Sequence, residues 1–316
     1  MPIVIDPLMI FGFLLYIAIL SLFAIRAAFF NRRKLYPIAI ALLLGVLIAF
    51  IYSMNLRQTA TVMFGILLFN LFLSKELKEI RILVALIGLL FLFVFYAEGP
   101  VALSVAMMLG LSSELLFGRE YENKVSNREI EIRRDFVHLF GGLVLFVVFL
   151  TLGYPLDGYI IQYLFAASLL VVFYAELWRN SRLSMFLYRI EKHKDYVGYG
   201  AIWLGIGTLV AYVFMDKSYF LLALLAIYFA DPIATFAGSY KPFAKLPHNR
   251  RKSVVGSLSY FAVVAIPGFF LIGPLSVVFA AVGALVESLP IEVDDNLSVS
   301  IIFALMYLVL LYSAII

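Results

Sequence analysis

The chain has no cysteine and only three histidines among its 316 residues. The first absence excludes disulfides, iron–sulfur clusters and thiolate metal sites, and the second leaves too few scattered imidazoles for a transition-metal centre. Hard cations held through oxygen are untouched by either exclusion. Charge is scarce too: 14% of residues are Asp, Glu, Lys or Arg, 64% are hydrophobic, and the mean hydropathy is +1.04. Soluble domains carry about 25% charged residues. The composition therefore describes a polytopic integral membrane protein, an all-α bundle. Two nucleotide-binding signatures are missing as well. There is no G-x-x-x-x-G-K-[ST] phosphate loop, and neither H-R-D…N nor D-F-G of the protein kinases occurs. No repeat of fixed period and no Gly/Ser- or Pro-rich linker divides the chain.

Long apolar runs are abundant. A helix crosses the hydrocarbon layer with about 20 apolar residues, and about 10–12 segments qualify. They are 7–30, 36–54, 58–74, 80–97, 99–117, 136–153, 157–178, 197–215, 218–238, 257–273, 275–291 and 297–316. Two pairs, 80–97 with 99–117 and 257–273 with 275–291, are separated by almost nothing and read as full spans, broken helices or re-entrant hairpins. Residues 7–30 lack the pattern of a removable signal, so the chain is expected to begin at Met1. Loops 31–35, 74–81, 118–135, 179–196 and 239–256 hold 21 of the 24 lysines and arginines. Positive charge in short loops favours the cytoplasm. That places these loops inside and both termini outside. The polar stretch 118–135 separates an N-terminal bundle, residues 1–117, from a second part, 118–316, that holds most of the unusual residues.

Four acids interrupt the apolar runs: Glu114, Glu176, Asp231 and Glu287, each near the inner end of a span. An ionised carboxylate in hydrocarbon is costly, so such residues face a polar cavity or pair at a helix end. Basic residues answer from the same side. Lys241, Lys245, Arg250, Arg251 and Lys252 follow Asp231, and Arg133 and Arg134 precede His138. Sidedness and attraction to anionic headgroups account for such charges in general. Carboxylates for magnesium beside cations for phosphate also suit a nucleoside triphosphate. "KSVVGS", ending at Ser257 where a span starts, offers small residues and a helix N-terminus for phosphate. "VGYGAIWLGIG" (197–207) lies within a span and reads as close helix packing. The segment "VESLPIEVDDNLS" (286–298) joins Glu287, a break at Pro290, and Asp294, Asp295 and Asn296. A helix cap explains one of these side chains, but neither Glu287 nor two adjacent acids on the positive side.

Three stretches, "RRDFVH" (133–138), "ADPIATFAGSYK…RRKSVVGS" (230–257) and "VESLPIEVDDNLSV" (286–299), resemble the CTP-dependent lipid-alcohol kinases, namely dolichol kinase, phytol kinase and the fungal-type diacylglycerol kinase, which are relatives of phosphatidate cytidylyltransferase. Residues 1–117 carry no such likeness. The order E-S-L-P…D-D-N-L looks like the kinase branch, and the K-D-x-G…G-G…D-R-x-D pattern of the cytidylyltransferases is absent. Asp135 stands where the family has lysine, and Lys241-Pro242-Phe243 stands where it has a further glycine.

The resemblance implies a membrane transferase of lipid metabolism that moves the γ-phosphoryl group of CTP onto a long-chain alcohol of dolichol, polyprenol, phytol or other isoprenoid type. Magnesium would be the cofactor. Asp231, Asp294 and Asp295 would hold the metal, while Asp231, Lys252, His138 and Glu287 would be catalytic. Arg133, Arg134, Lys241, Arg250, Arg251, Ser253, Gly256, Ser257 and Asn296 would bind nucleotide. The expected partners are CTP, the lipid alcohol and the bilayer, with no nucleic acid. Cytidylyl transfer onto a lipid phosphate and secondary transport through intramembrane acids are the alternatives.

Overall fold

The computed structural model describes residues 35–73, 87, 99–117, 128–151, 156–178, 181–190, 199–240, 244–250, 252–290 and 294–313. Among them every regular element is helical, and a single isolated bridge pairs Lys245 with Ser253. In chain order the helices are α1 (Leu35–Ile51), α2 (Leu56–Leu73), α3 (Pro100–Phe117), α4 (Arg128–Thr151), α5 (Leu156–Leu177), α6 (Arg182–Ile190), α7 (Tyr199–Phe214) and α8 (Lys217–Leu224). A π turn, Leu225–Ala230, follows, then α9 (Asp231–Tyr240), α10 (Val254–Ile272), α11 (Leu275–Ser288) and α12 (Asp295–Tyr312). The expected spans 7–30 and 80–97 lie outside the described residues, apart from residue 87.

Four described helices are long and apolar enough to cross a membrane: Ile132–Thr151, Lys217–Ser239, Val254–Ile272 and Asp295–Tyr312. The chain is thus an integral membrane protein built of helices. The chain divides into two compact units, Met1–Tyr121 with Gly158–Phe173, and Glu122–Asp157 with Tyr174–Ile316. In the first, the buried Gln162 side chain of α5 donates to Pro100 O and, at 2.9 Å, to Ser104 Oγ on α3. Such buried amides need partners inside a bundle, because lipid supplies none.

The second unit holds Asp231, Lys252, Glu287, Asp294, Asp295 and the other described residues of the expected site. Its central span is Lys217–Ser239, which is 67% buried, whereas the other three spans are 22, 28 and 33% buried and so turn most of their surface outward. Helix α4 has this inverted character. Phe136, Val137, Phe140, Leu143, Val144 and Val147 are exposed and apolar, while Asp135, His138 and Gly142 are buried at helical spacing. Gly142 lies directly against Tyr228 of the π turn. Within "VGYGAIWLGIG", Gly207 packs on the start of α12, where an added Cβ would come 3.0 Å from Asn296 O.

The central span is not a regular helix. Asp231 donates its backbone N–H to Ala226 O, five residues back, which closes the π turn. The cause follows in the sequence. Pro232 has no N–H to give, and in α geometry its ring would strike the carbonyl of Tyr228 four residues earlier. A wider turn relieves that clash. It also rotates everything downstream relative to a continuous α-helix, which re-aims Asp231.

Helices α10 and α11 form a tight antiparallel pair turned by Gly273-Pro274. Helix α11 has 14 residues, about 21 Å at 1.5 Å each, against a hydrocarbon layer of about 30 Å. The expected span 275–291 is therefore a short arm. Its end, with Glu287, stops level with the first turns of α10.

Candidate functional site

The hairpin and its neighbours bring four of the expected residues together. Carboxylate oxygens of Asp231, Glu287 and Asp295 lie within 4.8 Å of one another. Each comes from a different element: the start of α9, the last turn of α11 and the first turn of α12. The Lys252 ammonium enters the cluster from the segment before α10. It donates to Glu287 Oε1 and, at 3.0 Å, to Asp295 Oδ2. Glu287 is the buried member, while the side chains of Asp231, Asp295 and Lys252 are partly exposed, so the cluster runs from the interior to the surface.

The position of Lys252 is set by a small looped structure. Ala244 adopts φ 47, Val254 N–H donates to Ala244 O at 3.1 Å, and Leu246 N–H donates to Lys252 O at 3.1 Å. Two further contacts fasten this loop to α11 one residue beyond Glu287. His248 Nε2 and Ser288 Oγ are 3.0 Å apart, and Asn249 Nδ2 donates to Ser288 O at 3.0 Å. His248, Asn249 and Ser288 had no sequence signal of their own, because the hydrogen bonds that matter span about 40 residues of chain. Their role is to fix where Lys252 meets Glu287.

Electrostatics follow from this crowding. Burial alone would lower the Lys252 pKa, but the charges of Asp295, Glu287 and Asp231 outweigh burial and hold its ammonium above the ordinary lysine range. Three carboxylates with one ammonium leave an excess of two negative charges, which a divalent cation would cancel. The donor set is all oxygen, as magnesium or calcium prefers. Opposed ligands at magnesium distance are about 4.2 Å apart, so a spread of up to 4.8 Å requires a modest contraction once a cation replaces the ammonium. The residues fit such an ion.

Asp294 is placed differently from Asp295. It is the N-cap of α12, and its Oδ1 accepts from Asn296 N–H at 3.0 Å. One Asp294 oxygen is held at the helix start by capping, while Asp295 turns its carboxylate to Lys252, so the two aspartates take different positions. The group of three carboxylates contains Glu287 and not Asp294, whose charge still meets those of Asp295 and Asp231. Burial, with the neighbouring charge of Asp295, raises the Asp294 carboxyl from 3.8 to about 6, against the opposing pull of the Asn296 N–H and the Arg134 guanidinium. Asp294→Ala should lose the cap, costing about 1 kcal/mol, while Asp294→Asn should keep it. Because the folded value exceeds the unfolded one, this group favours the folded state most below about pH 4, and that contribution falls away as pH rises towards 6. In EDTA, Asp294→Asn should therefore flatten the loss of melting temperature between about pH 4 and 6.

The remaining expected residues take other positions. Ser253 caps α10, its Oγ accepting from Gly256 N–H at 3.1 Å. Val254, Gly256 and Ser257 already donate their N–H groups to Ala244 O, Ser253 Oγ and Ser253 O, so little of this helix start is spare for phosphate. A Cβ added at Gly238 would fall 2.6 Å from Ser253 Oγ, so the glycine of "FAGSY" lets α9 approach this cap. Asn296 is buried, and its carbonyl accepts from Ser300 Oγ at 2.8 Å. Arg133 and Arg250 are exposed, while Arg134 lies 3.5 Å from Asp135 and its charge also reaches Asp294. His138 is buried on the inner face of α4. Lys241 and Arg251 lie outside the described residues, as do the side chains of Glu114 and Glu176.

One further residue borders the cluster without having been expected. Tyr260 on α10 is 1% exposed, on the same face as Ser253, Gly256 and Ser257. Comparison of the chain with protein-family models, with curated proteins and with solved structures finds no match.

Proposed function

We propose that the chain transfers the γ-phosphoryl group of CTP to the hydroxyl of a membrane lipid alcohol, at a site on the cytoplasmic face. The observation that carries this reading is the convergence of the three stretches that resemble the lipid-alcohol kinases. Asp231 and Lys252 come from the second, Glu287 and Asp295 from the third, and Arg134 of the first acts on Asp294 beside them.

In this reading Asp231, Glu287 and Asp295 hold magnesium, which supplies charge neutralisation for the triphosphate when bound. Lys252 leaves its carboxylates for a phosphate oxygen, and Arg133, Arg134 and Arg250 would add positive charge for the triphosphate. The alcohol oxygen attacks the γ-phosphorus, the bond from that phosphorus to the β–γ bridging oxygen breaks, and CDP leaves with the bonding pair. Asp231 and His138 are the candidates to accept the alcohol's proton. Positioning and electrostatics provide most of the acceleration in such transfers. Support for a lipid acceptor comes from the surroundings, since Phe236, Leu258 and Leu285 are exposed on the three helices around the cluster.

The test is incubation of purified protein in mild detergent with magnesium, γ-labelled CTP and a panel of dolichol, phytol, geranylgeraniol and diacylglycerol, followed by thin-layer separation. A labelled lipid is the expected result and names the acceptor. Label that enters lipid only from α-labelled CTP and a lipid phosphate would replace phosphoryl transfer by cytidylyl transfer. No labelled lipid in either arm would overturn both and return the acids to a transport role.

A further inference from the structure

Two buried hydroxyls on one face of α10 have no hydrogen-bond partner among the described residues: Ser257 Oγ and Tyr260 OH. Buried polar groups in folded proteins are nearly always satisfied, and an orphan beside charged groups points to an ion, a water or a substrate group that completes it. Tyr260 is the stronger case. Its side chain is almost wholly enclosed, at 1% exposure. It also lies against the helix that carries Glu287, since a Cβ at Gly283, one turn before Glu287, would come 3.1 Å from Tyr260 Cε1. Because α10 and α11 run antiparallel from the Gly273-Pro274 turn, Tyr260 stands level with the end of α11. The charges of Glu287, Asp231 and Asp295 all act on its hydroxyl.

Packing alone would be served as well by phenylalanine. An orphaned hydroxyl in an apolar wall costs about 1–3 kcal/mol, so a tyrosine beside three carboxylates calls for a ligand that uses its oxygen. A phenol both donates and accepts. Carboxylates only accept when ionised, and magnesium keeps several waters whose protons need acceptors.

We infer that Tyr260 is a positioning residue of the cation site: its hydroxyl, which no group among the described residues satisfies, hydrogen-bonds a cation-bound water. This rests on the cation reading of the cluster, though not on the identity of the lipid. Such outer partners orient the ligands, and losing one weakens metal binding about 10- to 100-fold.

The test is Mn2+ titration of the full chain in mild detergent, with free Mn2+ read from its electron paramagnetic resonance signal, for wild type, Asp231→Asn and Tyr260→Phe. The expected result is uptake of Mn2+ by the wild type, its loss in Asp231→Asn, and about 10- to 100-fold weaker uptake in Tyr260→Phe. In EDTA the Tyr260→Phe variant should melt no lower than wild type, because the removed hydroxyl has no protein partner. Wild-type affinity in Tyr260→Phe, with Asp231→Asn defective, would overturn the inference and leave the cation site standing. A marked drop of melting temperature in EDTA would also overturn it, by showing that the hydroxyl serves the fold. Absence of Mn2+ uptake by the wild type would remove the cation site itself, and the inference with it.

Discussion

Asp231→Asn should abolish transfer of label from γ-labelled CTP to lipid, by about 100-fold or more, since losing one group that stabilises developing charge costs about 10²–10³ in rate. The same substitution should not lower the melting temperature in EDTA. Asn has the shape of Asp, so α9 can start as before, and removing one of three carboxylates packed within 4.8 Å relieves their repulsion. Lys252 keeps both of its bonded partners, Glu287 and Asp295. Activity and stability thus move independently, which separates a metal ligand from a structural acid. Turnover at the wild-type rate would take Asp231 out of the mechanism and leave the crowding of three acids without a chemical purpose.

The second large effect concerns stability. Lys252→Met should destabilise the protein by about 3 kcal/mol, the lower end for breaking a buried ion pair because the lysine side chain is 27% exposed. The cause is what remains: Glu287, with 4% of its side chain exposed, would keep a buried charge without its nearest counter-ion. Glu287→Gln in the same chain should restore most of the loss, because a neutral amide carries no such penalty. Additive losses in the double variant would mean that Lys252 and Glu287 are not coupled in the folded protein. Transfer activity should stay lost in both variants, since under the proposed mechanism Lys252 neutralises phosphate. Magnesium should partly rescue Lys252→Met in a melting experiment, since a cation in the cluster replaces the missing charge. It should not rescue the double variant, whose cluster has lost a carboxylate.

Much of the helical architecture is a local property and was legible in the sequence. The described residues 100–117, 156–177, 199–214 and 254–272 each contain most of an apolar run expected from composition alone, because lipid selects for apolar side chains residue by residue. The near-abutment of 257–273 and 275–291 was visible too, although whether they formed full spans, a broken helix or a hairpin was not. Helix α6 was missed, although Leu183, Phe186, Leu187 and Ile190 are spaced for one face, because it lies within a loop read only for its charge.

Composition and short patterns are enough to establish a helical membrane protein without thiol chemistry, in which Asp231, Glu287, the Asp294-Asp295 pair and a basic run mark unusual places. Hydropathy, charge and breaker residues act over a few neighbours, so one dimension is enough to read them. Which of these residues meet is set by packing across the fold. Glu287 faces Asp231 because α11 folds back along α10, and Lys252 reaches both Glu287 and Asp295 because a loop clamped to Ser288 presents it there. Asp294 turns to its cap while Asp295 joins the cluster, because the non-helical backbone at Asp294 lets its side chain fold back onto the Asn296 N–H. Tyr260 enters the same site without any motif to announce it, since its neighbours across the hairpin are more than 20 residues away in the chain. Carboxylates repel and resist burial unless cations and helices hold them together, so their convergence is a property of packing over long sequence distances, and no local pattern encodes it.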